Sequence, residues 1–315
     1  MVSILIPCYN AERWVGEAIR SAMGQTYGNK EVIVLDDGST DGSLEVVRSF
    51  GDLIRWGTGP NRGSNPARNR LLEMSAGEWI QFLDADDYLL PTKIEEQMRV
   101  VERVEPDLVV SPCLREGRVV DMGARTRDPW ADLLSRGLGN TCSNLWRRSA
   151  VEAAGRWEPE QRVGQEYELM FRMLKMGAKV MYCGAALTVV RRVNPESVWW
   201  SREAQGIRAR GKNIRDAARF LVQQCAMTRE RRRVASLESF RVAQWMWSRS
   251  DRGWREFEAF ARAVDPAFKE TLREVWPLYG AAYAAGGMHA AQRYGELARA
   301  VKRFLGISVG GGGES

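Results

Sequence analysis

The chain has 315 residues, of which 44% are hydrophobic and 27% charged, and it carries a formal net charge of +6. That length buries a full core in one large domain or two small ones, and the composition excludes a disordered or fibrous chain. The basic balance points to an anionic partner, whether a phosphate-bearing small molecule, a membrane surface or nucleic acid, and does not choose among them.

No run approaches the roughly 18 apolar residues of a membrane span, so none is expected. The opening MVSILIPCYN lacks the basic and long apolar regions of a secretory signal and reads as a first core strand of a cytoplasmic protein. Cysteines 8, 113, 142, 183 and 225 are scattered, without metal-ligand spacing, and read as reduced, mostly buried small hydrophobes. His289 is the only histidine, which removes a histidine-based zinc site and argues against a Ser-His-Asp hydrolase.

In chain order, VSILIP (2–7) reads as a strand buried on both faces. Trp14, Val15, Ala18, Ile19, Ala22 and Met23 follow at helical spacing. EVIVLDD (31–37) is a second strand ending in aspartates, and LIRWGT (53–58) a third. Asn65 is predicted as an N-cap with Pro66 opening a helix to about residue 75. EWIQFLD (78–84) is a further strand, Pro91 starts a helix through about Val104, and DLVVS (107–111) is a strand again. GQEYELMFRMLKMG (164–177) reads as a helix with Leu169, Met170, Met173 and Leu174 on one side and Gly177 closing it. From about residue 203 only helical periodicity remains, with tryptophans among arginines, and a glycine-rich tail follows.

Strands alternating with helices predict a mostly parallel sheet covered on both faces, with ligands at the carboxyl ends of the strands. Three polar segments fall there: Pro7-Cys8-Tyr9-Asn10, Asp36-Asp37-Gly38-Ser39 and Asp84-Ala85-Asp86-Asp87. An Asp-x-Asp pair past a strand end supplies hard oxygen ligands for Mg²⁺ or Mn²⁺ bridging two phosphates. It also makes an ordinary turn before a helix, with Asp87 as the cap. DDGSTDGS (36–43) reads either as a nucleotide pocket or as a turn in which Ser39 or Asp41 caps the next helix. Its glycines match neither a phosphate-cradling loop nor a dinucleotide fingerprint.

The segments VSILIPCYN, EVIVLDDGSTDGS, NRGSNPARNRLLEMSAGEWIQFLDADDYLLP and GRWEPEQRVGQEYELMFRMLKMG, in this order and spacing, resemble the family 2 glycosyltransferases of the GT-A fold. The resemblance spans roughly residues 1 to 195. It implies an α/β, Rossmann-like catalytic domain over 1–200; the periodicity beyond it reads as a helical region over 201–305 serving the acceptor, self-association or a membrane surface, and the glycine-rich tail over 306–315 as flexible. It implies inverting transfer of a sugar from a nucleotide-sugar donor, usually UDP-linked, to a hydroxyl acceptor such as a saccharide or lipid-linked glycan, with Mn²⁺ or Mg²⁺ and no nucleic acid. Peripheral contact with the inner face of a membrane and a homodimer fit the same picture.

Residue by residue, the resemblance implies that Pro7 and Tyr9 border the nucleoside and that Asp37, or its neighbour Asp36, bonds the base. Arg68 matches a cation beside the nucleotide phosphates, Asp84 and Ala85 lie along the donor, and Asp86 binds the metal. The general base is the second residue of a Glu-Asp pair opening a helix; here Gln165 and Glu166 stand there, which makes Glu166 the base and removes one charge beside it. Gln165 is matched to the acceptor or diphosphate, Arg191 or Arg192 to the diphosphate, and Trp199 or Trp200 to a sugar face. A sugar-nucleotide nucleotidyltransferase would need a glycine-rich, basic triphosphate loop that IPCYNAERW does not supply. A nucleotide-sugar-binding protein with impaired catalysis is the other alternative.

Overall fold

A computed structural model of the chain describes residues 1–115, 117–120, 126–191 and 203–304. Arg192, Trp199, Trp200 and the tail after 305 lie outside them. The chain divides into two compact units, Met1–Ala209 and Arg210–Ser315.

In the first unit, β1 (Val2–Cys8) pairs in parallel with β2 (Lys30–Asp36) on one side and β4 (Trp79–Phe82) on the other, and β3 (Arg55–Thr58) extends the sheet beyond β2. Beyond β4 come β9 (Leu145–Arg147), β6 (Leu108–Val110) and β10 (Val180–Tyr182), β9 running antiparallel to both neighbours. A four-stranded sheet of β5 (Tyr88–Leu89), β11 (Thr188–Val189), β7 (Cys113–Arg115) and β8 (Arg118–Val120) stands beside it. The mostly parallel sheet is as expected. The antiparallel β9 and the smaller sheet were not, because strands of two or three residues are too short to show a period.

The chain steps outward from β1 through β2 to β3 and then returns to β1's other side as β4. This reversal is the switch point at which open α/β sheets bind ligands. Val2, Ile4, Ile6 and Cys8 pack with Val15, Ala18, Ile19 and Ala22 of α1 (Val15–Met23) and with Ile94, Met98 and Val101 of α4 (Lys93–Val104). Helix α2 (Ser43–Arg48) adds Val47 to that face, and α3 (Ser64–Met74) lies against β1 and β2, burying Leu71 and Leu72. Each such side chain contributes about 2 kcal/mol when fully buried.

Two helix starts differ from the sequence reading. Gly63, at φ 96°, precedes α3, so Asn65 lies inside the first turn with its side chain buried. Helix α4 begins at Lys93 after Thr92, two residues past Pro91, so Asp87 caps nothing. Gly177 does close α7 (Gln165–Lys175) in the left-handed conformation, at φ 82°. Helices α5 (Pro129–Ser135) and α6 (Arg148–Ala153) pack on α7.

The second unit is helical. It comprises most of α8 (Glu203–Gln223), then α9 (Arg229–Ser248), α10 (Trp254–Val264), α11 (Phe268–Val275) and α12 (Pro277–Phe304), which breaks at Gly286 and Gly287. Phe240, Phe268 and Tyr283 form its aromatic centre, with ring centroids 5.1 to 5.6 Å apart. Trp245, Trp247, Trp254 and Trp276 are half-buried rather than exposed. Arg249 stacks on Trp245, and His289 meets Trp247 and Trp254 edge-on. No described helix is long and apolar enough to cross a membrane.

Lys93, the first residue of α4, is 1% exposed, and its Nζ has no hydrogen-bond partner among the described residues. Burial pushes its pKa well below the ordinary lysine range, so the folded chain holds it neutral whereas the unfolded chain protonates it. The site therefore opposes folding at neutral pH, and the opposition fades as pH rises towards the unfolded pKa. Lys93→Met is expected to raise the unfolding free energy by about 1–3 kcal/mol at pH 7, the cost of an unsatisfied buried polar group. In urea titrations the gain shrinks at pH 9.5.

Candidate active site

Cys8, Asp36 and Thr58 lie in one row at the carboxyl ends of β1, β2 and β3, and Asp84 follows two residues beyond Phe82 at the end of β4. Side chains stitch the loops above this row together. Asn10, in the left-handed region at φ 49°, donates its amide to Ser39 Oγ (3.0 Å) and accepts from the Thr40 amide (2.9 Å). The Ala11 amide donates to Ser43 Oγ (2.8 Å). Asp41 accepts from the Ser43 amide (3.0 Å) and so holds the first N–H of α2, the capping role expected of it. Gly38 is at φ 74°, and a Cβ there would stand 2.7 Å from the Asn61 nitrogen, so this turn admits only glycine.

Asp36 and Asp37 are both buried and already bonded. Asp36 accepts from Thr58 Oγ1 (2.8 Å) and the Ser39 amide (3.3 Å), and Asp37 from the amides of Arg62 (3.0 Å) and Gly63 (2.8 Å). Burial raises the Asp37 pKa against those two amides. Each carboxylate oxygen has a second acceptor direction, so both residues shape the row and still offer oxygens to a ligand. Beside them Pro7 is half-buried and Tyr9 is 45% exposed.

Arg68 is 5% exposed and does not project to solvent as a phosphate-binding cation would. One NH₂ arm pairs with Asp84 Oδ1 (2.9 Å), and the other donates to Gln165 Oε1 (2.9 Å) and Asn65 Oδ1 (3.2 Å). Its guanidinium lies 4.9 Å above the Trp157 ring, which packs edge-on against Phe82. Asn65 donates to the carbonyls of Glu158 (2.7 Å) and Gln161 (2.9 Å), and Asn69 exchanges two bonds with the Trp157 backbone. Residues 65, 68 and 69 share one helical face, so NPARN is a clamp on the loop leading to α7.

Among the three clustered aspartates, Ala85 is buried between Asp84 and Asp86. Asp86 is half-buried and has no side-chain partner among the described residues; burial, then the Asp84 charge, pushes its pKa to about 6. Asp87 is buried, and burial followed by the charges of Asp84 and Asp86 raises it well above the usual carboxylate range. It accepts the Arg191 amide (2.9 Å), tying β5 to the chain leaving β11. Arg191 pairs with Glu17 (2.6 Å) and stacks on Tyr88, so its guanidinium is held by protein groups.

Hard carboxylate oxygens in excess of nearby positive charge fit a divalent cation. Ligand atoms of Asp84, Asp87 and Cys142 lie within 4.8 Å of one another. This trio is poor chemistry for such an ion. Burial and both aspartate charges keep the Cys142 thiol protonated, and its sulfur accepts the Asp84 amide.

At the N-terminus of α7, Gln165 bonds Arg68, and the adjacent Glu166 is half-buried with no hydrogen-bond or ion-pair partner among the described residues. The helix is fixed by Tyr167, whose hydroxyl donates to the carbonyls of Arg136 (2.7 Å) and Gly139 (3.0 Å). The structure thus brings Asp84, Arg68 and Gln165 into direct contact, leaving Glu166 one residue away. Sequence reading missed Asn65, Asn69, Trp157 and Cys142, whose roles depend on distant partners and leave no local pattern.

Arg68→Leu leaves Asp84 without its counter-ion and Gln165 and Asn65 without their donor. A loss of about 3 kcal/mol is expected in urea unfolding, at the low end for a broken buried pair because Asp84 is partly solvated. Arg68→Lys does not restore it, since one ammonium cannot meet three acceptors and a ring face.

Residues 3–156 match the family model described as glycosyl transferase family 2. An *Escherichia coli* protein named UDP-Glc:alpha-D-GlcNAc-diphosphoundecaprenol beta-1,3-glucosyltransferase WfaP is 32% identical over 137 residues, 39% of this chain and 55% of that one. The chain spans about half the length, or less, of the curated relatives it matches. Among solved structures, S. aureus TarS 1-349 in complex with UDP-GlcNAc superposes with a TM-score of 0.58 at 16% identity, covering 85% of this chain and 91% of that 1-349 chain. The mannosyltransferase PcManGT from *Pyrobaculum calidifontis*, in complex with GDP-Man and Mn²⁺, gives 0.53 at 18% identity, covering 88% and 87%. With the fold, the row of strand ends and this match together, residues 3–156 belong to a glycosyl transferase family 2 domain, built on a GT-A fold.

Proposed function

We propose that the chain transfers a sugar from a nucleotide-sugar donor to a hydroxyl acceptor, with inversion and with a divalent cation. The observation that carries this reading is the contact of Arg68 with both Asp84 and Gln165, which ties the end of β4 to the first turn of α7, where Glu166, a carboxylate without a described partner, follows Gln165.

Each role follows from its surroundings. Pro7 and Tyr9 line the nucleoside, and Asp36 or Asp37 uses its remaining acceptor capacity on the base or ribose. Asp86, with Asp84, would hold Mn²⁺ or Mg²⁺, which when bound offsets the charge on the departing diphosphate. Arg68 acts through its ion pair, which holds the Asp84 carboxylate in place. Glu166 accepts the proton of the acceptor hydroxyl as that oxygen attacks the anomeric carbon from the face opposite the diphosphate. One displacement then inverts the centre.

A UDP-linked donor is supported by the UDP-GlcNAc complex of TarS and by the donor in the name of WfaP. Manganese is supported by the PcManGT complex. A lipid-linked diphosphate acceptor reached from a membrane surface is supported by the name of WfaP and by this chain's net charge of +6.

Donor hydrolysis across UDP-, GDP- and dTDP-sugars with Mn²⁺ tests the reading. One donor turns over in the wild type. Asp86→Ala and Glu166→Gln each lower that rate by about 100-fold or more, and chelation abolishes it reversibly. Full activity in Asp86→Ala overturns the cation site, and full activity in Glu166→Gln overturns the base.

A further inference from the structure

The side chain of Gln165 is committed at both ends. Its Oε1 accepts from Arg68 (2.9 Å), and its Nε2 donates to Ser64 Oγ (3.2 Å) and to the Arg162 carbonyl (3.1 Å). The three partners come from different places: Arg68 from the buried face of α3, Ser64 from the first residue of α3, and Arg162 from the loop entering α7. Arg162 can only accept through its carbonyl and Arg68 can only donate, so the position asks for an oxygen on one side and an N–H on the other. An amide of this length supplies both; a carboxylate supplies only the first. The same Arg68 holds Asp84 through its other arm.

Resting on the transferase reading above, in which Glu166 is the base, we propose that Gln165 is a positioning residue for this reaction, touching neither donor nor acceptor. It fixes the first turn of α7 to Arg68 and to the start of α3, and so sets where the Glu166 carboxylate stands relative to Asp84. Displacing a reacting group by about 1 Å costs on the order of 100-fold in rate. The effect falls on the step in which Glu166 takes the proton and not on donor binding, because Gln165 bonds none of Asp36, Asp37 and Asp86 and reaches Arg68 through the arm opposite the one that holds Asp84.

The test is Gln165→Met, of similar volume but with neither bond, beside Gln165→Glu, which keeps an oxygen for Arg68. Turnover of the donor identified for the wild type is measured together with calorimetric binding of UDP in Mn²⁺. Gln165→Met is expected to lower kcat by about 10- to 100-fold while UDP affinity and donor KM stay within about 3-fold. Gln165→Glu is expected to fall between it and wild type. The proposal is overturned if Gln165→Met keeps wild-type kcat, if it loses UDP affinity as steeply as kcat, or if Gln165→Glu is as slow as Gln165→Met. Glu166→Gln in the same assay separates the two readings: wild-type turnover there removes the base itself, whatever Gln165 does.

Discussion

Arg68 carries a permanent positive charge to a place that water barely reaches, and such a charge persists only where its neighbours answer it. Asp84 supplies the counter-charge, Asn65 and Gln165 supply oxygens, and Trp157 supplies a ring face. Those partners come from the end of β4, from α3, from α7 and from the loop before α7. Satisfying one guanidinium therefore requires four parts of the chain to arrive together. Arg68 Nε already lacks a hydrogen-bond partner among the described residues, so loss of Asp84 or Gln165 would add further unpaired N–H groups in the interior.

The same constraint arranges the charge. Three aspartates in four residues repel one another, and two of them are driven up in pKa by burial and by their neighbours' charges. The fold relieves part of this: Arg68 offsets Asp84, and Asp87 accepts the Arg191 amide while resting beside the Cys142 thiol. Asp86 has no hydrogen-bonding side-chain partner among the described residues, and the charge of Arg191 offsets only part of what burial and Asp84 impose on it. The carboxylates so strained sit at the switch point of the α/β sheet, where perturbed groups tend to cluster at functional sites.

Much of this was legible in the sequence. Long buried runs such as VSILIP and EVIVLD announced the parallel sheet, and the polar segments after them announced the row of strand ends, because both signals are local. Asn65 was misread as a cap because Asn before Pro looks the same whether its amide meets its own helix or a loop 93 residues away, as it does here at Glu158. Asp87 was misread for the same reason, its partner being the backbone of Arg191. Arg68 read as a cation for phosphate, whereas its guanidinium is turned to the buried side of Asp84 and Gln165, and no sequence pattern distinguishes the two orientations. The antiparallel β9 and the smaller sheet escaped notice because their strands are too short to carry a period.

The account stands on the row from Tyr9 through Asp37 to Asp86 being a donor site in which Asp86 holds the cation. Anomalous diffraction from crystals grown with Mn²⁺ and UDP tests it most directly. A manganese peak against Asp86 and the diphosphate, with the uracil beside the Asp36–Asp37 turn, is the predicted result. A peak on Asp87 and Cys142 with Asp86 turned away, or a nucleotide bound elsewhere on the chain, would contradict it.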